Sequence, residues 1–133
     1  MTNEITKKLK QASDGLLFMS ESDYPFEVFF WSAQAKETLT DQKLLHLTGH
    51  SQDVLVETVD LDYLFRNSAQ EKDWHDRQQK ETVKKFQSLV ETLKANLSDI
   101  QVYRVGTINI DVYIVGKTPS GDLAGLSTKV VET

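Results

Sequence analysis

Carboxylates, imidazoles and one isolated indole are the groups in this chain with the means to do chemistry. Glu21 and Asp23 stand in Ser20-Glu21-Ser22-Asp23, with Glu27 close behind, so three carboxylates fall within seven residues. Such a group suits a basic protein surface. It is equally what a solvated loop contains, and composition alone favours the solvated loop. Trp74 is surrounded by the polar residues Lys72, Asp73, His75 and Asp76. A tryptophan in that setting is either a lone core anchor or an exposed contact residue, since indole is enriched where proteins meet. Asp73, His75 and Asp76 also place acid and base beside it, the raw material of a small hydrolase. Neighbours on a helix point about 100° apart, however, and do not converge on one substrate.

Other candidates fall to their spacing. His46 and His50 are four apart, which can set two imidazoles on one helix face for a metal. Gly49 and the expected helix end lie between them, and no glutamate follows His46. Surface or capping histidines are the better reading. Asp60 reads as a helix N-cap and Asp62 as a first-turn acid favoured by the helix dipole. Ser13, Ser20, Ser22 and Ser120 stand outside any G-x-S-x-G elbow. Gly121 and Gly125 complete neither phosphate-binding pattern. Cysteine is absent, which excludes disulfides and thiolate chemistry. No catalytic constellation emerges. The chain reads as a non-enzyme that needs no cofactor of its own.

The elements that must position these groups follow from periodicity. Residues 4–12 read as an amphipathic helix, with Ile5, Leu9 and Ala12 on one face, closed by Asp14-Gly15. Pro25 restricts Tyr24 to extended geometry. Residues 26–31 then read as an aromatic strand, Phe26, Val28 and Phe30 facing one way, Glu27, Phe29 and Trp31 the other. Residues 40–47 predict a helix capped by Thr40 or Thr38, with Gly49 past its end. A strand over 54–59 follows, then a short helix with Leu61, Leu64 and Phe65. Ser68-Ala69-Gln70-Glu71 matches the capping box. The longest helix starts near Asp73 or Gln79 and ends at Leu97, with Val83, Phe86, Leu89, Val90, Leu93 and Leu97 as its apolar stripe.

The last third is the organising stretch. Val102, Tyr103 and Val105 make a strand, and Gly106-Thr107 permits a hairpin. Ile108, Ile110, Val112 and Ile114 recur at every second position and predict one inner face. Residues 118–122 supply a turn, and a strand over 126–131 is expected to run to the final residue. The terminal carboxylate of Thr133 would then be a positioned negative charge. The whole reads as one α+β domain over residues 1–133, a mainly antiparallel sheet covered by helices.

Composition sets the class. At 133 residues the chain is long enough for its own core. No apolar run approaches the ~20 residues that span a bilayer, and the N-terminus lacks a signal-peptide pattern, so residence in the cytoplasm is expected, away from membranes. The formal charge of −5 argues against a nucleic-acid partner and for a basic one.

Several long segments carry a family resemblance: LKQASDGLLFMSESDYPFEVFFW (residues 9–31), LTGHSQD (47–53), Asp73-Trp74, and DVYIVGKTPSGDLAGLSTKVVET (111–133). They resemble the nuclease A inhibitors, proteins that block a sugar-non-specific, metal-dependent nuclease. The resemblance implies an α-β-α sandwich that occupies a partner's active site in a one-to-one complex, with the partner's magnesium or manganese at the interface. It implies that the carboxylate of Thr133 reaches that metal, Glu21 meets the nuclease's basic residues, and Trp74 with Asp73 adds contact area. The free protein would be a monomer. The chain departs from the family pattern over residues 32–45 and at Lys72, which bears on partner choice. The alternative is an adaptor or regulatory domain of the same fold with no nuclease partner.

Overall fold

The computed structural model describes residues 4–14, 16–18, 24–31, 40–51, 53–65, 77–119 and 121–131. In chain order these form α1 (Glu4–Ser13), β1 (Leu17–Phe18), β2 (Tyr24–Pro25), β3 (Glu27–Trp31), α2 (Asp41–Thr48), β4 (Val56–Val59), α3 (Leu61–Leu64), α4 (Arg77–Asn96), β5 (Ser98–Val105), β6 (Asn109–Lys117) and β7 (Leu123–Val131). β1 and β2 make a small hairpin. The other five strands form one antiparallel sheet in the order β3-β7-β6-β5-β4, with the C-terminal meander at its centre.

Alternation along these strands sends side chains to two different cores. Val102, Ile110, Val112, Ile114, Ala124, Leu126 and Val130 face α1, α3 and α4. The α4 stripe meets them as its spacing requires: Phe86, Leu89, Leu93 and Leu97 are buried there, with Val90 packed alongside. Tyr103, Val105, Val115 and Leu123 turn the other way and meet Leu44 and Leu45 of α2. Helices therefore cover both faces, and the architecture is an α-β-α sandwich. Burying each such leucine or phenylalanine stabilises the fold by about 1.5–3 kcal/mol, so the two cores dominate its energetics. β3 divides its side chains as expected, Val28 and Phe30 to the first core, Phe29 and Trp31 to the second.

The helix ends are locally encoded. Thr40 is the N-cap of α2, its Oγ1 accepting from the Lys43 N–H at 3.1 Å, and Gly49 closes the helix at φ 76°. Asp60 holds the N-cap position of α3 in extended geometry, but its side chain makes no capping hydrogen bond. The 118–122 turn forms with Thr118 Oγ1 accepting from the Asp122 N–H at 3.0 Å.

Three expectations need correction. Ile108 is not on the inner face with Ile110: β5 and β6 pair up to Val105 and Asp111, so it sits at the turn between them and is 56% exposed. β4 begins at Val56, not at residue 54. β5 begins four residues earlier than its apolar run suggests, at Ser98, across an irregularity where Asp99 takes φ 49°. The Ser68–Glu71 capping box lies outside the described residues.

Candidate functional site

Glu21, Asp73, Trp74 and Thr133 all lie outside the described residues, as does Lys72. What the structure describes is where the segments that carry them leave the fold. The Phe18–Tyr24 pair closes the β1–β2 hairpin and so brackets residues 19–23. Thr128 of β7 holds that hairpin: its hydroxyl lies 3.1 Å from the Pro25 carbonyl oxygen and 3.4 Å from that of Tyr24. Glu27 pairs with Ser127, so stepping back from Glu27 to Tyr24 moves along β7 toward its C-terminal end. The hairpin and Val131, the last described residue, therefore occupy the same end of the sheet.

The start of α4 comes to that end as well. Leu97, just beyond its last turn, packs by Gly116, near the far end of β6. Eleven residues back, the Phe86 ring lies 6.3 Å from that of Phe26, which adjoins β3 at the level of Thr128. At about 1.5 Å per residue, Arg77 stands roughly 13 Å beyond Phe86, in line with the end where β6 begins and β7 stops. The flanks of all three predicted contact segments thus gather at one end of the molecule.

On the α2 face of this same end lies a cleft of about 480 Å³, lined by Tyr24, Glu27, Thr48, His50, Asp111, Tyr113, Ser127 and Lys129 among others. Its best-defined feature is His50. The Nε2 atom is 3.0 Å from Tyr113 Oη and 3.2 Å from Asp111 Oδ2. The same ring nitrogen thus faces both a phenol and a carboxylate oxygen, and a proton on Nε2 would let the ring donate to them. Burial pushes the Tyr113 phenol above its ordinary range, and the Asp111 charge adds to the effect, while a hydrogen bond from Thr48 opposes it. Gly49 makes the contact reachable: its positive φ turns the chain so that the His50 N–H returns to the Leu45 carbonyl at 2.8 Å and the ring swings over the sheet. His50 thereby ties the end of α2 to β6.

That role was missed from the sequence. The usable signal was the alternation of Asp111 and Tyr113 on the second face of β6, opposite the inner isoleucines. His46, by contrast, is exposed, and the two imidazoles do not share a site. Asp60 and Asp62 lie at α3, where Asp62 takes the Lys94 ammonium at 2.9 Å and holds α3 to α4. Among the described residues no three His, Asp or Glu side chains come together as metal ligands.

A profile describing nuclease A inhibitor-like proteins matches residues 3–133. The chain belongs to the nuclease A inhibitor-like family. No curated protein sequence matches it. Membership in the nuclease A inhibitor-like family points to a nuclease inhibitor, with a nuclease as its partner in general terms. No helix among the described residues is long and apolar enough to cross a membrane.

Proposed function

We propose that this protein is a non-enzymatic inhibitor of a sugar-non-specific, divalent-metal-dependent DNA/RNA endonuclease. It binds one-to-one and blocks the nuclease's active site with carboxylates. The α-carboxylate of Thr133 is directed to the magnesium or manganese of the partner, Glu21 to its basic residues, and Asp73 with Trp74 to the surface around them. The observation that carries this reading is the gathering, at one end of the sheet, of the residues that flank all three segments, in a chain of this family.

The chemistry is coherent. A nuclease active site must present cationic side chains and a hard metal ion to the phosphates it cuts. Magnesium takes oxygen ligands and keeps several waters, so a carboxylate joins its shell readily, directly or through one water. Carboxylates offered to both the metal and the basic residues would imitate the substrate's phosphate without offering a scissile bond. The net charge of −5 steers the encounter with a basic cleft and makes it sensitive to salt. Action on a nuclease before its export would protect the host cell's own nucleic acid, which fits residence in the cytoplasm.

The test is titration of a sugar-non-specific, magnesium-dependent nuclease with wild type, a chain lacking Thr133, and Glu21→Ala. A sharp one-to-one endpoint for wild type, weakened in both variants, is the expected result. Inhibition untouched by either change removes the site assignment and keeps the function. Absence of inhibition at high excess leaves either a different nuclease as the partner or the adaptor reading, and failure against every sugar-non-specific nuclease of the source cell removes the function.

A further inference from the structure

Two of the three large hydrophobic side chains exposed among the described residues lie at the end of the sheet where the flanks gather. Leu55 is 60% exposed and Ile108 is 56% exposed; the third, Tyr63, lies on α3. The Gly106 N–H donates to the Leu55 carbonyl at 2.9 Å, which continues the β4–β5 register one step beyond Val56 and Val105. Ile108 is at the centre of the turn two residues on. The next residue, Asn109, pairs with Val131, so this turn adjoins the last described residue of β7.

Their exposure has a local cause. Val54 and Val56 turn to the α2 core, which leaves Leu55 to the α4 side of the sheet. Its cross-strand neighbour there is Gly106, with no side chain to cover it. Gly106 takes φ 114°, a conformation that glycine adopts without strain, and so the turn delivers Ile108 outward instead of into the core. Singly exposed apolar residues are ordinary; two at one sheet end, one opposite a glycine and one at the neighbouring turn, form a small hydrophobic step.

We infer that Leu55 and Ile108 form an apolar rim of the partner-binding surface and are buried by the nuclease when it docks. This rests on the inhibitor reading and adds to it a part of the surface that carries no charge. Interfaces gain residence time from well-packed apolar groups that exclude water around charged contacts, whereas carboxylates alone mainly set orientation and association rate. Charge decides which occupant is meant. Asp53, exposed two residues before Leu55, and the net charge of −5 repel a second copy of this chain and favour a basic protein.

The experiment measures the dissociation rate of the nuclease complex for wild type, Leu55→Ser, Ile108→Ser and the double variant, with Tyr63→Ser as a control at α3. Because both side chains are exposed, the variants are expected to keep the wild-type circular dichroism, and the single changes serve if the double one does not fold. Wild type inhibits, the double variant leaves the complex roughly ten- to hundredfold faster, each single variant lies between, and Tyr63→Ser leaves the rate unchanged. Wild-type inhibition with an unchanged rate in the double variant overturns the rim and spares the inhibitor. An equal loss for Tyr63→Ser also overturns it, as does a wild-type dimer that the double variant disperses. Failure of wild type to inhibit removes both readings.

Discussion

Thr128 ties the hairpin that bears the Glu21 segment to the C-terminal strand, and removing its hydroxyl measures that tie. The residue is 6% exposed, and one hydroxyl hydrogen is shared between the Pro25 carbonyl at 3.1 Å and the Tyr24 carbonyl at 3.4 Å. Thr128→Val keeps the shape and deletes the donor. A typical intramolecular hydrogen bond contributes about 0.5–1.5 kcal/mol net, and an acceptor left unsatisfied in a buried place costs about 1–3 kcal/mol. The added methyl takes the hydroxyl's place against the Pro25 and Tyr24 carbonyl oxygens and returns little of this. The expected loss is about 1–2 kcal/mol, read from urea midpoints at unchanged slope. If the hairpin must be ordered for Glu21 to reach the nuclease, the same free energy reappears in binding, as about five- to thirtyfold weaker inhibition. A stability change below about 0.3 kcal/mol would refute the tether. A normal stability loss with unimpaired inhibition would show that the hairpin is held but does not position the inhibitory residue.

Further outcomes follow from the packing and electrostatics. Phe86→Ala removes the ring that meets Phe26 edge-on at 6.3 Å and Phe65 at 5.9 Å, and should cost about 3–5 kcal/mol in a denaturant titration. Gly125→Ala drives a methyl into the Ile114 carbonyl of the adjacent strand and within 3.1 Å of the Phe29 ring; a loss of about 3 kcal/mol or more is expected, and a variant melting with wild type would contradict the register. Tyr103 and Tyr113 are both raised by burial first, then by Asp41 and Asp111 respectively. Their neutral forms are the ones the fold favours, so the stability they support is fully present below the ordinary phenol range. Stability falls as pH rises from about 10 through the raised folded values. Tyrosinate absorbance should show these two titrating late, and Tyr113→Phe should flatten the alkaline fall in the urea midpoint.

Most of the sandwich was legible in periodicity, and the failures have identifiable causes. Val83, Phe86, Leu89, Leu93 and Leu97 recur at helical spacing because one face of α4 is buried against α1 and the sheet. Thr40 and Gly49 bound α2 through purely local geometry, so they could be read without knowing what α2 packs on. Ser98–Gln101 could not, because Ser, Asp and Gln have weak strand preference and pair with β6 only through the neighbouring chain. Ile108 misled for the opposite reason. It continues the alternation of Ile110, Val112 and Ile114 in sequence, but Gly106 ends the ladder before the pattern ends.

The candidate site was legible only through the family resemblance, and the fold explains why. The chemistry proposed for it does not sit in one motif: it is assigned to a loop carboxylate, a residue pair preceding α4 and the terminal residue, and each alone is indistinguishable from an ordinary solvated segment. What relates them is antiparallel topology. β7 runs toward the same end as β5, α4 returns against β5 by way of the short connection at Leu97, and β3 lies antiparallel to β7, so its N-terminal extension arrives beside Val131. Those relations depend on strand order, which local sequence does not encode. An inhibitor built this way needs no pocket and no buried titratable cluster, the usual marks of an active site. The His50 tether, in which an imidazole, a phenol and a carboxylate meet in a cleft, looks more like catalytic chemistry than the proposed site does. Its geometry gives it structural work: Nε2 at 3.0 Å from Tyr113 Oη and 3.2 Å from Asp111 Oδ2 ties the end of α2 to β6.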